Sequence, residues 1–122
     1  MVVALAVALA GGAGAVLRYL LDGAVQDRTS GLFPFGTLAV NVIGSLVIGV
    51  VAGIVLRHGG PATLQSVVGT GLCGGLTTWS TASWETVRLV EEGSVATAVR
   101  FTVANLVLSL VAAAVGLLMV WF

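Results

Sequence analysis

From Gly36 to Leu56 the chain runs for 21 residues without one charged side chain. A helix of about that length crosses the hydrocarbon core of a bilayer, and in lipid every backbone N–H and C=O must be satisfied within the protein. That requirement points to spanning helices. A second uncharged run, Val2 to Leu17, is closed by Arg18, Tyr19, Leu20, Leu21 and Asp22, an interfacial cation and aromatic at the end of a span. The pattern predicts four spans, at about residues 2–21, 36–56, 64–90 and 98–122, with short connections and one membrane domain. The expected class is all-α, integral and multi-pass. With 58% hydrophobic and 8% charged residues among 122, nothing is left over for a soluble catalytic domain.

The charges that are present exclude further classes. Five arginines, no lysine, five acids and a net charge of zero supply no basic patch, so no nucleic-acid partner is expected. Cys73 is the single cysteine and His58 the single histidine, which removes disulfides, clustered metal ligands and Ser/His or Cys/His catalysis. An enzyme is not expected. No basic residue precedes the first apolar run, which argues against a cleaved leader. Residues 22–35 read as an exposed connection with room for a short amphipathic piece, and Gly59-Gly60-Pro61 and Glu91-Glu92-Gly93 mark the other two turns. Arg18, Arg28, Arg88 and Arg100 gather at one side and Arg57 at the other, which predicts external termini.

The third apolar region differs from the rest. Its middle, Gly69 to Ser83, is dense in glycines and hydroxyls, so a continuous lipid-facing helix is not expected there. Gly71, Gly74 and Gly75 fit close helix packing, whereas Thr77, Thr78, Ser80, Thr81 and Ser83 fit a site at a broken helix, with hydroxyl back-bonding a competing reading for some of them. In span two, Asn41 heads a face continued by Ser45, Gly49 and Gly53; an amide at that depth either glues helices or faces a pathway. Span four carries Thr102, Asn105 and Ser109 on one face. No Asp, Glu, Lys or His falls at mid-span, which leaves a proton relay without titratable groups and favours a small anion carried by neutral donors. Glu85 and Arg88, three residues apart, read as an ion pair near the headgroups.

Taken in order, three motifs resemble the CrcB/Fluc family of fluoride channels over nearly the whole chain. They are Gly11-Gly12-x-Gly14-Ala15-x-x-Arg18-Tyr19, Gly36-Thr37-x-x-x-Asn41-x-x-Gly44, and Gly71-x-x-Gly74-Gly75-Leu76-Thr77-Thr78-Trp79-Ser80-Thr81. The resemblance implies an antiparallel, dual-topology dimer in the cell membrane, with fluoride pores at its interface and passive efflux relieving fluoride toxicity. It implies a structural Na⁺ held by the main-chain carbonyls of Gly74 and Thr77. Asn41 matches the pore amide, Thr81, Ser83 and Ser109 the polar track, Arg18 the vestibule arginine, and Glu85 the carboxylate after the aromatic motif. The family places two phenylalanines where this chain has Trp79 and Ala82, so one ring is replaced and one lost; a paralogue in a heterodimer is one way to supply it. Two rivals remain. A small multidrug exporter needs a carboxylate in the first span, which Val2–Leu17 lacks, and a noncatalytic membrane subunit leaves the glycine-hydroxyl break and Asn41 with Asn105 unexplained.

Overall fold

Helix α1 (Val2–Arg28) outruns the span expected for it. No proline lies between Asp22 and Arg28, and Ala24, Gln26 and Arg28 are good helix formers, so the helix continues and the expected connection at 22–35 shrinks to residues 29–34. The end is closed by side chains that satisfy orphan carbonyls: Arg28 Nη1 donates to Ala24 at 3.0 Å and Thr29 Oγ1 to Val25 at 3.0 Å. These features belong to a computed structural model that describes residues 1–122. Its regular structure is entirely helical.

Pro34 leads into α2 (Phe35–His58), which ends where Gly59 takes a left-handed φ of 64° and the Gly60 N–H returns to the Ile54 carbonyl at 3.2 Å. After Pro61, α3 (Ala62–Leu64), a π-helical stretch (Gln65–Cys73) and α4 (Gly74–Leu76) succeed one another as a single rod. Regular helix lapses over residues 77–79, with Thr77 extended at φ −81° and ψ 162° and Trp79 already back at helical angles. Helix α5 (Ser80–Glu91) resumes, and Gly93 at φ 82° turns the chain into α6 (Val95–Met119). The glycines of the third region are therefore wound, and the lapse falls on the hydroxyl residues just beyond them. Three helices, α1, α2 and α6, are long and apolar enough to cross a membrane.

Two pairs of helices meet backbone to backbone. A Cβ on Gly49 would run into the Ala113 carbonyl of α6, and one on Gly116 into the Leu46 carbonyl of α2, so the small-residue face of span two is a packing seam. Likewise Gly14 of α1 leaves no room for a Cβ beside the Leu72 carbonyl, and Gly75 none beside that of Gly11. The close-packing reading thus holds for Gly71 and Gly75, whereas Gly74 has no heavy atom within 4 Å of where its Cβ would stand. A small core of Ala82, Leu89, Ala98 and Phe101 joins α5 to α6, with Phe33 edge-on to Phe101 at 5.7 Å between centroids. At the far end His58 Nε2 lies 2.6 Å from the Val120 carbonyl and Arg57 Nε donates to Trp121 at 3.3 Å, tying α2 to the chain after α6.

Candidate functional site

The lapse at residues 77–79 frees main-chain groups that must find partners, because an unpaired peptide group away from water costs about 1–3 kcal/mol. Asn41, on α2 and only 6% exposed, supplies them. Its Oδ1 accepts the Thr78 N–H at 2.7 Å, while its Nδ2 donates to the Thr78 carbonyl at 3.0 Å and to Asn105 Oδ1 at 2.9 Å. One amide therefore grips both main-chain groups of Thr78 and reaches α6 as well. Thr78 in turn caps α5: its hydroxyl accepts the Thr81 N–H at 3.1 Å and donates to Thr81 Oγ1 at 3.0 Å.

Two concavities lie either side of this knot. The larger, about 590 Å³, is bounded by α2, α5 and α6 and lined by Asn41, Thr78, Trp79, Ser83, Asn105 and Ser109 among others. No ionisable side chain faces it. The smaller, about 250 Å³, lies toward α1 and contains Arg18, Tyr19, Asp22, Thr37 and Thr81, with Thr78 common to both. Of the residues expected on one pathway, five share the groove, whereas Thr81 stands across the knot with Arg18. Ser109 Oγ is buried without a partner. Ser83 bonds back to the Trp79 carbonyl at 2.9 Å, and Trp79 itself projects outward, 81% exposed.

Glu85 faces neither concavity. Arg88 holds it through Nη2 at 2.6 Å and Nε at 3.0 Å, reaches Glu92 at 3.3 Å, and stacks over Trp84 at 5.5 Å from the ring centroid. The expected ion pair is present, extended by a second carboxylate. Ala82 turns inward against Phe101, and Phe101 also borders the groove, so an aromatic ring stands next to the position where Ala82 lacks one.

The carbonyls of Gly74 and Thr77 are both released from helical bonding. The Thr78 N–H that would return to Gly74 goes to Asn41, and the Thr81 N–H that would return to Thr77 goes to the Thr78 hydroxyl. Such oxygens are hard ligands and suit Na⁺; the Thr77 oxygen also accepts from Arg18 Nη1 at 3.2 Å, using one of its two lone pairs. Thr86 and Phe101 were not singled out by the sequence, while Thr78 was named there as one member of the hydroxyl run behind Gly74-Gly75.

Comparison with known proteins covers nearly the whole chain. Residues 5–117 match the family described as CrcB-like protein, Camphor Resistance (CrcB). The chain is 48% identical to "Fluoride-specific ion channel FluC 1" of Leifsonia xyli subsp. xyli, covering 94% of this chain and 84% of that one. It is 43% identical to the protein of the same name from Thermobifida fusca, over 98% of this chain and 97% of that one. With "Fluoride-specific ion channel FluC 2" of Cutibacterium acnes it shares 52% identity over 67% of this chain and 68% of that one.

Proposed function

This chain belongs to the CrcB family, and on that premise we propose that it is a fluoride-selective channel of the cell membrane, passing fluoride out of the cell down its gradient. The observation that carries the reading is the uncharged groove beside Asn41: a concavity of about 590 Å³ bordered by hydroxyls and amides, with no titratable group to bind or shuttle a proton. Fluoride is the strongest hydrogen-bond acceptor among the halides, and neutral donors can replace its hydration without holding it too tightly to leave. The smaller concavity with Arg18 is the vestibule in this reading, where a cation raises the local anion concentration. The rod of residues 62–76 and α5 together form the remaining span, third in chain order and broken at Thr77–Trp79.

The pore is completed by a second chain packed antiparallel against the groove. The 81%-exposed ring of Trp79, which lines the groove, supports a contact there, and the open face of Gly74 leaves room for one beside the helix break. In such a dimer the carbonyls of Gly74 and Thr77 from both chains hold Na⁺, which supplies a fixed positive charge near the anion path. A heterodimer with a paralogue is a second form of the same reading: Ala82 contributes no ring, and the numbered names of the relatives fit paired chains.

The decisive measurement is fluoride efflux from liposomes carrying the purified full-length chain, followed with a fluoride electrode. Selective flux of fluoride over chloride is the expected result from the chain alone or co-reconstituted with a second chain of the same family. Absence of fluoride flux from both preparations overturns the reading.

A further inference from the structure

Resting on the fluoride reading, we propose that the amide offered to the anion is Nδ2 of Asn105, and that Asn41 is the positioning residue that aims it. At the main chain, hydrogen-bond direction is not negotiable. The Thr78 N–H can only donate and the Thr78 carbonyl can only accept, so the oxygen of Asn41 must face the first and its nitrogen the second. One hydrogen of Asn41 Nδ2 is thereby committed to Thr78. The other points at Asn105, 2.9 Å away, and only an oxygen can receive it. The Asn105 amide is thus fixed with Oδ1 toward Asn41 and Nδ2 turned away, and Asn105 lines the groove.

The remaining groove donors point to the same atom. The hydroxyls of Ser83, Thr86 and Thr102 already donate to the Trp79, Ala82 and Ala98 carbonyls of their own helices at 2.9 Å each. Both hydrogens of Asn41 Nδ2 are in use. Asn105 Nδ2 donates to no group of the protein, and it is not among the buried unpartnered atoms, whereas Ser109 Oγ, one turn along α6, is. Asn105 Nδ2 and Ser109 Oγ thus stand uncommitted one turn apart on α6; the Ser45 hydroxyl and the outward Trp79 indole also line the groove without a protein partner, and of these four donors only the Asn105 amide has its direction set by a relay from the main chain. A donor oriented before the ion arrives costs no rearrangement when it binds, which is what a channel needs at the point of dehydration.

The chain contains two asparagines, Asn41 and Asn105, so ¹⁵N-asparagine labelling of the full-length protein in lipid nanodiscs yields two side-chain amide pairs. N105D identifies one of them by its loss. Titration with sodium fluoride, against sodium chloride at equal ionic strength, is expected to shift the Asn105 pair and leave the Asn41 pair in place. A shift confined to Asn41, or no fluoride-specific shift at either, overturns the proposal. The flux assay gives an independent arm. N105D keeps an acceptor for Asn41, so the melting temperature should hold while fluoride flux falls by about tenfold or more. N41D sets a carboxylate oxygen against the Thr78 carbonyl, so melting temperature and flux should fall together. Wild-type flux from N105D, or lost flux at an unchanged melting temperature in N41D, contradicts the assignment. A wild-type chain that conducts no fluoride instead overturns the channel reading, and the amide shifts then decide this inference alone.

Discussion

Arg18 Nη1 lies 3.2 Å from the Thr77 carbonyl, so a guanidinium from the first helix meets the main-chain oxygen of the very residue at which the chain leaves helical geometry. The two residues are 59 apart in sequence, and the contact fastens α1 to the lapse in the third region. A peptide oxygen without a helical N–H partner needs such a donor, and a charged one gives a stronger bond than a neutral one.

Arg18→Met should lower stability by about 1–2 kcal/mol, below the full value for a buried charged hydrogen bond because the contact is only part-buried. Thermal unfolding in detergent checks it. In the channel reading fluoride flux falls as well, since the vestibule loses its cation. An unchanged melting temperature would show that the Thr77 oxygen is served equally well by water.

Gly75→Ala and Gly74→Ala form a matched pair. The first drives a methyl into the Gly11 carbonyl and should cost about 1–3 kcal/mol as α1 and the rod are forced apart. The second meets nothing within the chain and should leave monomer stability nearly unchanged. In the dimer reading it weakens self-association instead, which analytical ultracentrifugation in detergent measures. Equal effects of the two substitutions on unfolding would contradict the backbone contact at Gly75.

Ala82→Phe restores the aromatic that the family motif carries, yet it should destabilise this chain by about 1–3 kcal/mol. The side chain at 82 is 6% exposed and packed with Leu89, Ala98 and Phe101, so a second ring has to displace the first. The companion variant Ala82→Phe with Phe101→Ala should recover part of the loss. Recovery, scored by a double-mutant cycle of melting data, is the signature of two rings competing for one volume.

Replacing Na⁺ with a large organic cation tests the proposed role of the Gly74 and Thr77 carbonyls. In the dimer reading, removal of the small cation leaves the Gly74 oxygens without a positive partner and the Thr77 oxygens with Arg18 alone, so the dimer should dissociate at lower denaturant and regain its stability when Na⁺ returns. Dimer stability independent of sodium would remove the ion from the assembly.

Much of the arrangement was legible in the chain. The uncharged runs located α1, α2 and α6 because hydrocarbon tolerates little else, and the small-residue spacing at Gly49 and Gly53 marked a true seam. The extension of α1 to Arg28 was missed because Asp22 and Asp27 look like a loop, although neither breaks a helix. The winding of Gln65–Cys73 left no trace in composition, since i→i+5 bonding depends on how the rod seats against α1. The partnership of Asn41 with Thr78 and Asn105 spans 37 and 64 residues. Each amide was visible as costly at its depth, but which atoms they would satisfy is decided only when three helices come together.

The wide winding of residues 65–73 also governs the chain beyond it. A residue deleted from or inserted into that coil, with its wide winding kept, would rotate everything downstream and carry the Thr78 peptide off the amide that grips it. The stretch is a spacer whose length is set by a lock several turns away, and its tolerance for insertions or deletions is correspondingly small.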